Sequence, residues 1–197
     1  VQDVSERILV ITDTAGASDP NSEDVADAAL QAAWLTRTLL GREPRVALLS
    51  HTTAGPAAAR HDPAVRRLAL ARDVVHARSP ELAVEGPVTL GAALATAKDD
   101  DVLVLVVADR AAGASLVSAL RALAGAESLG PLVPALGRPV IPTARDATTD
   151  ELVLLGALTC ALAVTAPRAG DDADEPSSRG FKLPTPSATR RPTGAVS

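Results

Sequence analysis

VLVLVVADRAAGASLVSALRALAGAESLGPLVPALGRPVIPTARDATTDE, residues 102–151, is the stretch whose reading decides the fold. It opens with Val102–Val107, an apolar run rich in β-branched valine. A run this short, with no polar alternation, marks a strand buried on both faces, as in a parallel sheet. The loop Ala108-Asp109-Arg110-Ala111-Ala112-Gly113 follows. Then Leu116, Val117, Leu120, Leu123 and Ala124 recur at helical spacing on one stripe, and Gly125 ends the pattern. Strand, glycine-containing loop and helix make half of a βαβ unit. In open parallel sheets, ligands sit at the carboxyl ends of strands, where such loops lie.

Working outward, the same alternation recurs. Arg7–Thr12 (RILVIT) and Arg45–Ser50 (RVALLS) read as two further strands. After the first comes the polar loop Asp13–Pro20, then a helix capped by Asn21 or Ser22 that runs to Leu40 and stops at Gly41. Glu23, Asp24 and Asp27 lie near its positive end. After the second come His51-Thr52-Thr53-Ala54-Gly55-Pro56 and an amphipathic helix, Pro63–Ala77, whose Arg66, Arg67 and Arg72 read as a solvated face. Thr148-Thr149-Asp150-Glu151 fits a capping box and opens a last helix to Val164. Alternating strands and helices with two-sided apolar strands predict a three-layer α/β domain over residues 1–166, a mainly parallel sheet with helices on both faces. Residues 167–197 are rich in Pro, Ser, Thr, Gly and Arg, and read as a disordered tail.

Composition excludes several classes. With 197 residues, a net charge of −5 and 1% aromatics (Trp34 and Phe181, no Tyr), the chain has neither a basic surface nor a stacking platform for nucleic acid. The longest apolar run, Leu152–Val164, is shorter than a membrane span needs, so a cytoplasmic protein is expected. The lone Cys160 excludes an intrachain disulfide and reads as a small buried residue of an apolar helix. Asp99-Asp100-Asp101 has no partner spacing for a metal and reads as a solvated turn. No metal or cofactor is expected.

Arg121–Val140 carries a resemblance: a helix ending in Gly-Ala-Glu, then Gly-Pro, a short apolar segment and an Arg-Pro-Val strand. It resembles the C-terminal half of the phosphate acetyl/butyryltransferase family and the similar domain at the end of some bacterial malic enzymes. Arg45–Ser50 matches that family's strand residue for residue. Thr12-Asp13-Thr14-Ala15 matches its Thr-Asp-x-Ala pattern, and Leu82–Pro87 resembles its Leu-x-Val-Asp-Gly segment. The resemblance implies a subdomain of the isocitrate/isopropylmalate dehydrogenase type. It implies acyl transfer between coenzyme A, as a substrate, and phosphate. It also implies an N-terminal half that completes the cleft, supplied by a partner, or a homodimer.

The resemblance assigns roles by position. Substrate-binding residues would be Thr12, Asp13, Thr14, Thr52, Thr53, Asp109 and Gly113, and catalytic ones Arg145 and Glu151. Arginine suits a phosphate because its planar fork donates two parallel hydrogen bonds. A carboxylate can take the thiol proton. The bland readings are a loop-forming Asp13, a solvated His51 and a purely capping Glu151. Six site positions depart from the family: Ala144 for Ser, Glu151 for Asp, Ala114 for Asn, and Leu116, Val117 and Ser118 for Gly-Tyr-Lys. Scaffold motifs are kept better than site motifs. The expectation is therefore a phosphate acetyltransferase-like protein, weak or inactive alone. The alternative is a catalytically degenerate module that binds acetyl-CoA or acyl phosphate for regulation or assembly.

Overall fold

The all-apolar run at the centre of the sequence becomes the centre of the sheet. In the computed structural model, which describes residues 7–13, 20–53, 61–98, 100–107, 109–132, 140 and 147–165, Val102–Val106 is a strand with every residue buried. In chain order the elements are β1 (Leu9–Thr12), α1 (Ser22–Leu40), β2 (Pro44–Leu49), α2 (Pro63–Arg78) and β3 (Ala83–Val88). They continue with α3 (Leu90–Thr96), β4 (Val102–Val106), α4 (Arg110–Ala124) and α5 (Thr149–Thr165). The four strands form one sheet in the order β1-β4-β2-β3, and every pairing is parallel. The three strands expected from the sequence are therefore neighbours, with Leu9, Leu103 and Arg45 in register across them.

Side chains alternate across β4 and build two cores. Val104 and Val106 join Val46, Leu48, Val25, Ala29, Leu68 and Val75 on the α1/α2 face. Leu103 and Leu105 join Ala47, Ala93, Leu94 and Leu116 on the α3/α4 face. The topology requires this division. The steps β1→β2→β3 run one way along the sheet and β3→β4 runs back, so right-handed crossovers put their helices on opposite faces.

Helix ends follow their cap chemistry. Asn21 accepts hydrogen bonds from the backbone N–H groups of Glu23 (2.8 Å) and Asp24 (3.1 Å), and Asp24 accepts in return from Asn21 N at 2.9 Å. Gly41, at φ 60°, closes the helix in the left-handed conformation. Pro63 opens α2 behind Asp62, whose carboxylate caps Ala64 and Val65.

Four sequence-based expectations are corrected. Leu123 is 88% exposed, because the covered stripe of α4 is Gly113, Leu116, Val117 and Leu120. Arg67 and Arg72 are not merely solvated: they donate to the carbonyls of Pro20 (2.7 Å) and Gly86 (3.2 Å), tying α2 to α1 and β3. Cys160 is exposed. Asp101 is no free turn residue but accepts from Lys98 N (2.9 Å) and Arg45 (3.3 Å). The expected tail lies outside the described residues. No helix among the described residues is long and apolar enough to cross a membrane.

Asp101 gives a pH prediction. The Lys98 N–H and then the Arg45 guanidinium hold its carboxyl below the ordinary aspartate range. A group depressed in the folded state contributes stability above its unfolded pKa and loses it as pH falls through its folded pKa. Acid unfolding followed by circular dichroism should therefore be less steep below about pH 4 in Asp101→Asn than in wild type. Equal acid limbs would show that this carboxylate is not coupled to folding.

Candidate functional site

All four strands are parallel, so their carboxyl ends emerge along one edge of the sheet, spanning about 15 Å at the usual strand spacing. β4 sends its chain to α4 on one face. Its neighbours β1 and β2 send theirs to α1 and α2 on the other. Ligands of open α/β sheets lie where successive connections leave toward opposite faces. Here those positions flank β4 on both sides.

On the β1 side, Thr12 ends its strand and its backbone carbonyl accepts from Val107 N at 2.9 Å. Asp13 comes next. Its Oδ2 lies 3.9 Å from where a Cβ on Gly113 would stand, an ordinary contact distance, so the carboxylate lies beside the first turn of α4, while the tighter neighbour of that position is Val107 Cγ2 at 3.1 Å. The partial positive charge at that helix end favours a carboxylate there. Asp109 caps the same helix, accepting from Ala112 N at 2.8 Å. Asp13 thus lies near Gly113, in the first turn of the helix that Asp109 caps. As carboxylates these groups only accept hydrogen bonds. They suit hydroxyl or amide N–H groups of a ligand, not its phosphates.

On the β2 side, the loop is tied to its neighbour. Ser50 N donates to Val88 O at 2.8 Å, and Thr52 N to Ser50 Oγ at 3.4 Å. Thr53 and Thr89 hydroxyls meet at 3.5 Å, and Thr89 N donates to Thr53 Oγ1 at 3.3 Å. Thr89 in turn caps α3 through Ala92 N. His51 Nε2 stands 3.5 Å from Asp62 Oδ2 and is largely exposed, so the histidine sits at the rim. The sequence reading missed Thr89 and Asp62. Each is a polar residue immediately before a helix, a capping signal that would have found both.

The carboxylate of Glu151 accepts from Thr148 N at 2.8 Å, and Thr148 Oγ1 accepts from Glu151 N at 3.2 Å, completing the capping box. α5 packs against α1. The observed geometry of Glu151 is therefore its structural role. Thr14, Ala144 and Arg145 lie outside the described residues. No group of three or more candidate metal ligands occurs among the described residues. A concavity of about 480 Å³ beside edge strand β3, lined by Arg72, Asp73, His76, Ala77 and Val84, lies toward the other end of the sheet.

Comparison with known proteins adds the following. Residues 1–160 match the family described as phosphate acetyl/butaryl transferase. The chain is 32% identical over 156 residues to a phosphate acetyltransferase of Thermoanaerobacterium thermosaccharolyticum, covering 74% of this chain and 47% of that protein. It is 34% identical over 164 residues to one from Deinococcus radiodurans, covering 78% of this chain and 23% of that protein. A phosphotransacetylase structure from Streptococcus pyogenes superposes with a TM-score of 0.66 at 22% identity, over 83% of this chain and 51% of that one. At that identity the structural likeness speaks for the fold alone. The chain thus spans about half the length of the shorter relatives.

Proposed function

The chain belongs to the phosphate acetyl/butyryltransferase family, and from that premise we propose that it serves acyl transfer between coenzyme A and phosphate. In that reaction a phosphate oxygen attacks the thioester carbonyl, the C–S bond breaks, and coenzyme A leaves as its thiolate, giving acetyl phosphate. In reverse, a base removes the thiol proton and the thiolate attacks the acyl phosphate. The observation that carries this reading is the meeting of the Asp13 carboxylate with Gly113 at the first turn of α4, across β1 and β4. It supports a polar crevice at the switch point, where Thr12, Asp13, Thr14, Thr52, Thr53, Asp109 and Gly113 would hold the polar groups of coenzyme A. Arg145 would hold the phosphate, and coenzyme A enters as a substrate. The protein would act in the cytoplasm, with a second half of the domain, or a second copy, completing the cleft.

A second reading has its own observation. The Glu151 carboxylate is already engaged by Thr148, and Ala144 offers no hydroxyl to a developing oxyanion. Both favour a module that binds acetyl-CoA or acyl phosphate while turning it over weakly alone.

Calorimetric titration of the folded chain with coenzyme A and with acetyl phosphate tests the shared part. Binding is expected, and Arg145→Ala should weaken it by about 10- to 100-fold, the value of a charge-assisted hydrogen bond. Silence with both ligands, or wild-type affinity in Arg145→Ala, would remove the anion-binding role.

A further inference from the structure

Asp62 divides its two carboxylate oxygens between two tasks. Oδ1 caps α2, accepting from the backbone N–H groups of Ala64 at 2.8 Å and Val65 at 3.3 Å. Oδ2 faces His51 Nε2 at 3.5 Å. The cap holds the carboxylate in place, because α2 is anchored just behind it by the buried Val65 and Leu68. His51 is the second residue past the end of β2. Its loop is tied down on both sides, by Ser50 N on Val88 O and by Thr89 N on Thr53 Oγ1. With Nε2 turned to a fixed acceptor, the proton of a neutral imidazole belongs on Nε2, and Nδ1 carries the free lone pair. The ring is 71% exposed, so a ligand can reach it.

Resting on the acyl-transfer reading, we infer that His51, held by Asp62, is the group that takes the proton of the coenzyme A thiol in this chain. Glu151, the carboxylate at the family's aspartate position, is engaged by Thr148. His51 then accounts for the rate that the unmodified chain retains. Thr12 and Leu48 are both in register with Val106, so the chain leaves β1 at Asp13 and β2 near His51 along one edge of the sheet. With β4 between them, the two strands stand about 10 Å apart. Carboxylates on the β1 side accept from the hydroxyl and amide N–H groups of the coenzyme A arm, and the thiol at the end of that arm lies across β4, at the imidazole. In the step itself the S–H bond breaks and its proton passes to Nδ1. The thiolate sulfur bonds to the carbonyl carbon of acetyl phosphate, and the C–O bond to phosphate breaks as phosphate leaves. In acetyl-CoA cleavage the same proton returns to sulfur. Imidazole can accept at one nitrogen and give the proton back, as a reversible step requires.

The test uses the full 197-residue chain with coenzyme A and acetyl phosphate, and reads acetyl-CoA formed above the background without protein. His51→Ala should lower that rate about 100-fold or more, and added imidazole should restore part of it. Asp62→Asn separates the two tasks of the aspartate. Asparagine caps a helix as well as aspartate does, but its amide nitrogen cannot accept from an imidazole. The rate should therefore fall about tenfold or more while the melting curve and the affinity for coenzyme A stay at wild type. His76→Ala, an exposed histidine of α2 away from that edge, should change nothing. A wild-type rate in His51→Ala would overturn the inference. So would a loss that imidazole leaves untouched, or a loss in Asp62→Asn that only tracks its melting temperature. Calorimetry separates this failure from that of the acyl-transfer reading. A chain that does not bind coenzyme A sinks that reading and this one with it, whereas binding without any rate above background sinks this one alone.

Discussion

Alanine at Gly86 should cost the chain about 3–5 kcal/mol, the sum of a strained backbone and an overpacked contact. Gly86 sits at φ 138°, a conformation that residues with a Cβ rarely adopt. A Cβ added there would stand 2.7 Å from Leu48 Cβ and 2.9 Å from Leu48 O. Neither atom can swing away, since one is bonded to the main chain and the other is part of it, and Leu48 is fully buried in the α1/α2 core. The site is also where the register slips: Ala47 pairs with Glu85 but Leu49 with Val88, leaving Gly86-Pro87 opposite Leu48. A bulge of this kind suits the edge strand, where proline removes no needed ladder bond. Against a typical stability of about 5–15 kcal/mol, the loss is a large share of the whole. Gly156→Ala is the control. It lies inside α5 with nothing within 4 Å of the added methyl, and should gain about 0.5–1 kcal/mol from helix propensity. Urea denaturation measures both. A cost below about 1 kcal/mol at Gly86 would mean that β3 shifts freely away from β2.

The contrast between β4 and β3 shows which parts of the fold were legible. β4 reads directly because both of its faces are buried, so no polar residue interrupts it. β3 has an exposed Ala83, a half-buried Glu85 and a Gly-Pro break, and it therefore carries neither the alternation nor the run that marks a strand. Helix periodicity placed Leu123 with Leu116 and Leu120, but periodicity cannot say where the neighbouring layer ends. α4 covers the edge strand β1, and its last turn projects past it. At the site, Asp13 and Asp109 were legible because each is the polar residue that follows an apolar run. The Thr53–Thr89 contact was not, because it joins loops 36 residues apart and only the pairing of β2 with β3 brings them together. Cys160 was misplaced for an instructive reason. An apolar helix implies a cover, and among the described residues of α5 Leu155 and Leu162 are the buried ones.

The largest expected effect on activity comes from restoring the family's residues at positions 144 and 151, where the proposed function places its chemistry. Ala144→Ser combined with Glu151→Asp, assayed with the complementary half present, should raise acetyl transfer at least about 100-fold over the unmodified chain assayed with the same half. One hydroxyl directed at a developing oxyanion is worth on the order of 100- to 1000-fold, and displacement of a catalytic group by about 1 Å costs on the order of 100-fold. The Glu151 carboxylate now folds back onto Thr148 N and Thr148 Oγ1, at 2.8 and 3.2 Å. Shortening it by one methylene moves it toward the family's aspartate position without removing the cap. α1 shows that an aspartate can serve there, because Asp24 closes the capping box with Asn21 at the same three-residue spacing. The substitution should therefore leave the melting temperature near that of wild type, so that a gain in rate reports on chemistry. Thioester absorbance, with phosphate and acetyl-CoA as substrates, follows the reaction in either direction. The unmodified chain alone should stay far below the usual enzyme range of about 1–1000 turnovers per second. Turnover within that range would refute the weak-alone reading, for then neither the lack of a hydroxyl at position 144 nor assay without a complementary half limits the rate. No gain from the combined changes, with the complementary half bound, would mean that the loop before α5 does not present position 144 to the crevice beside β4.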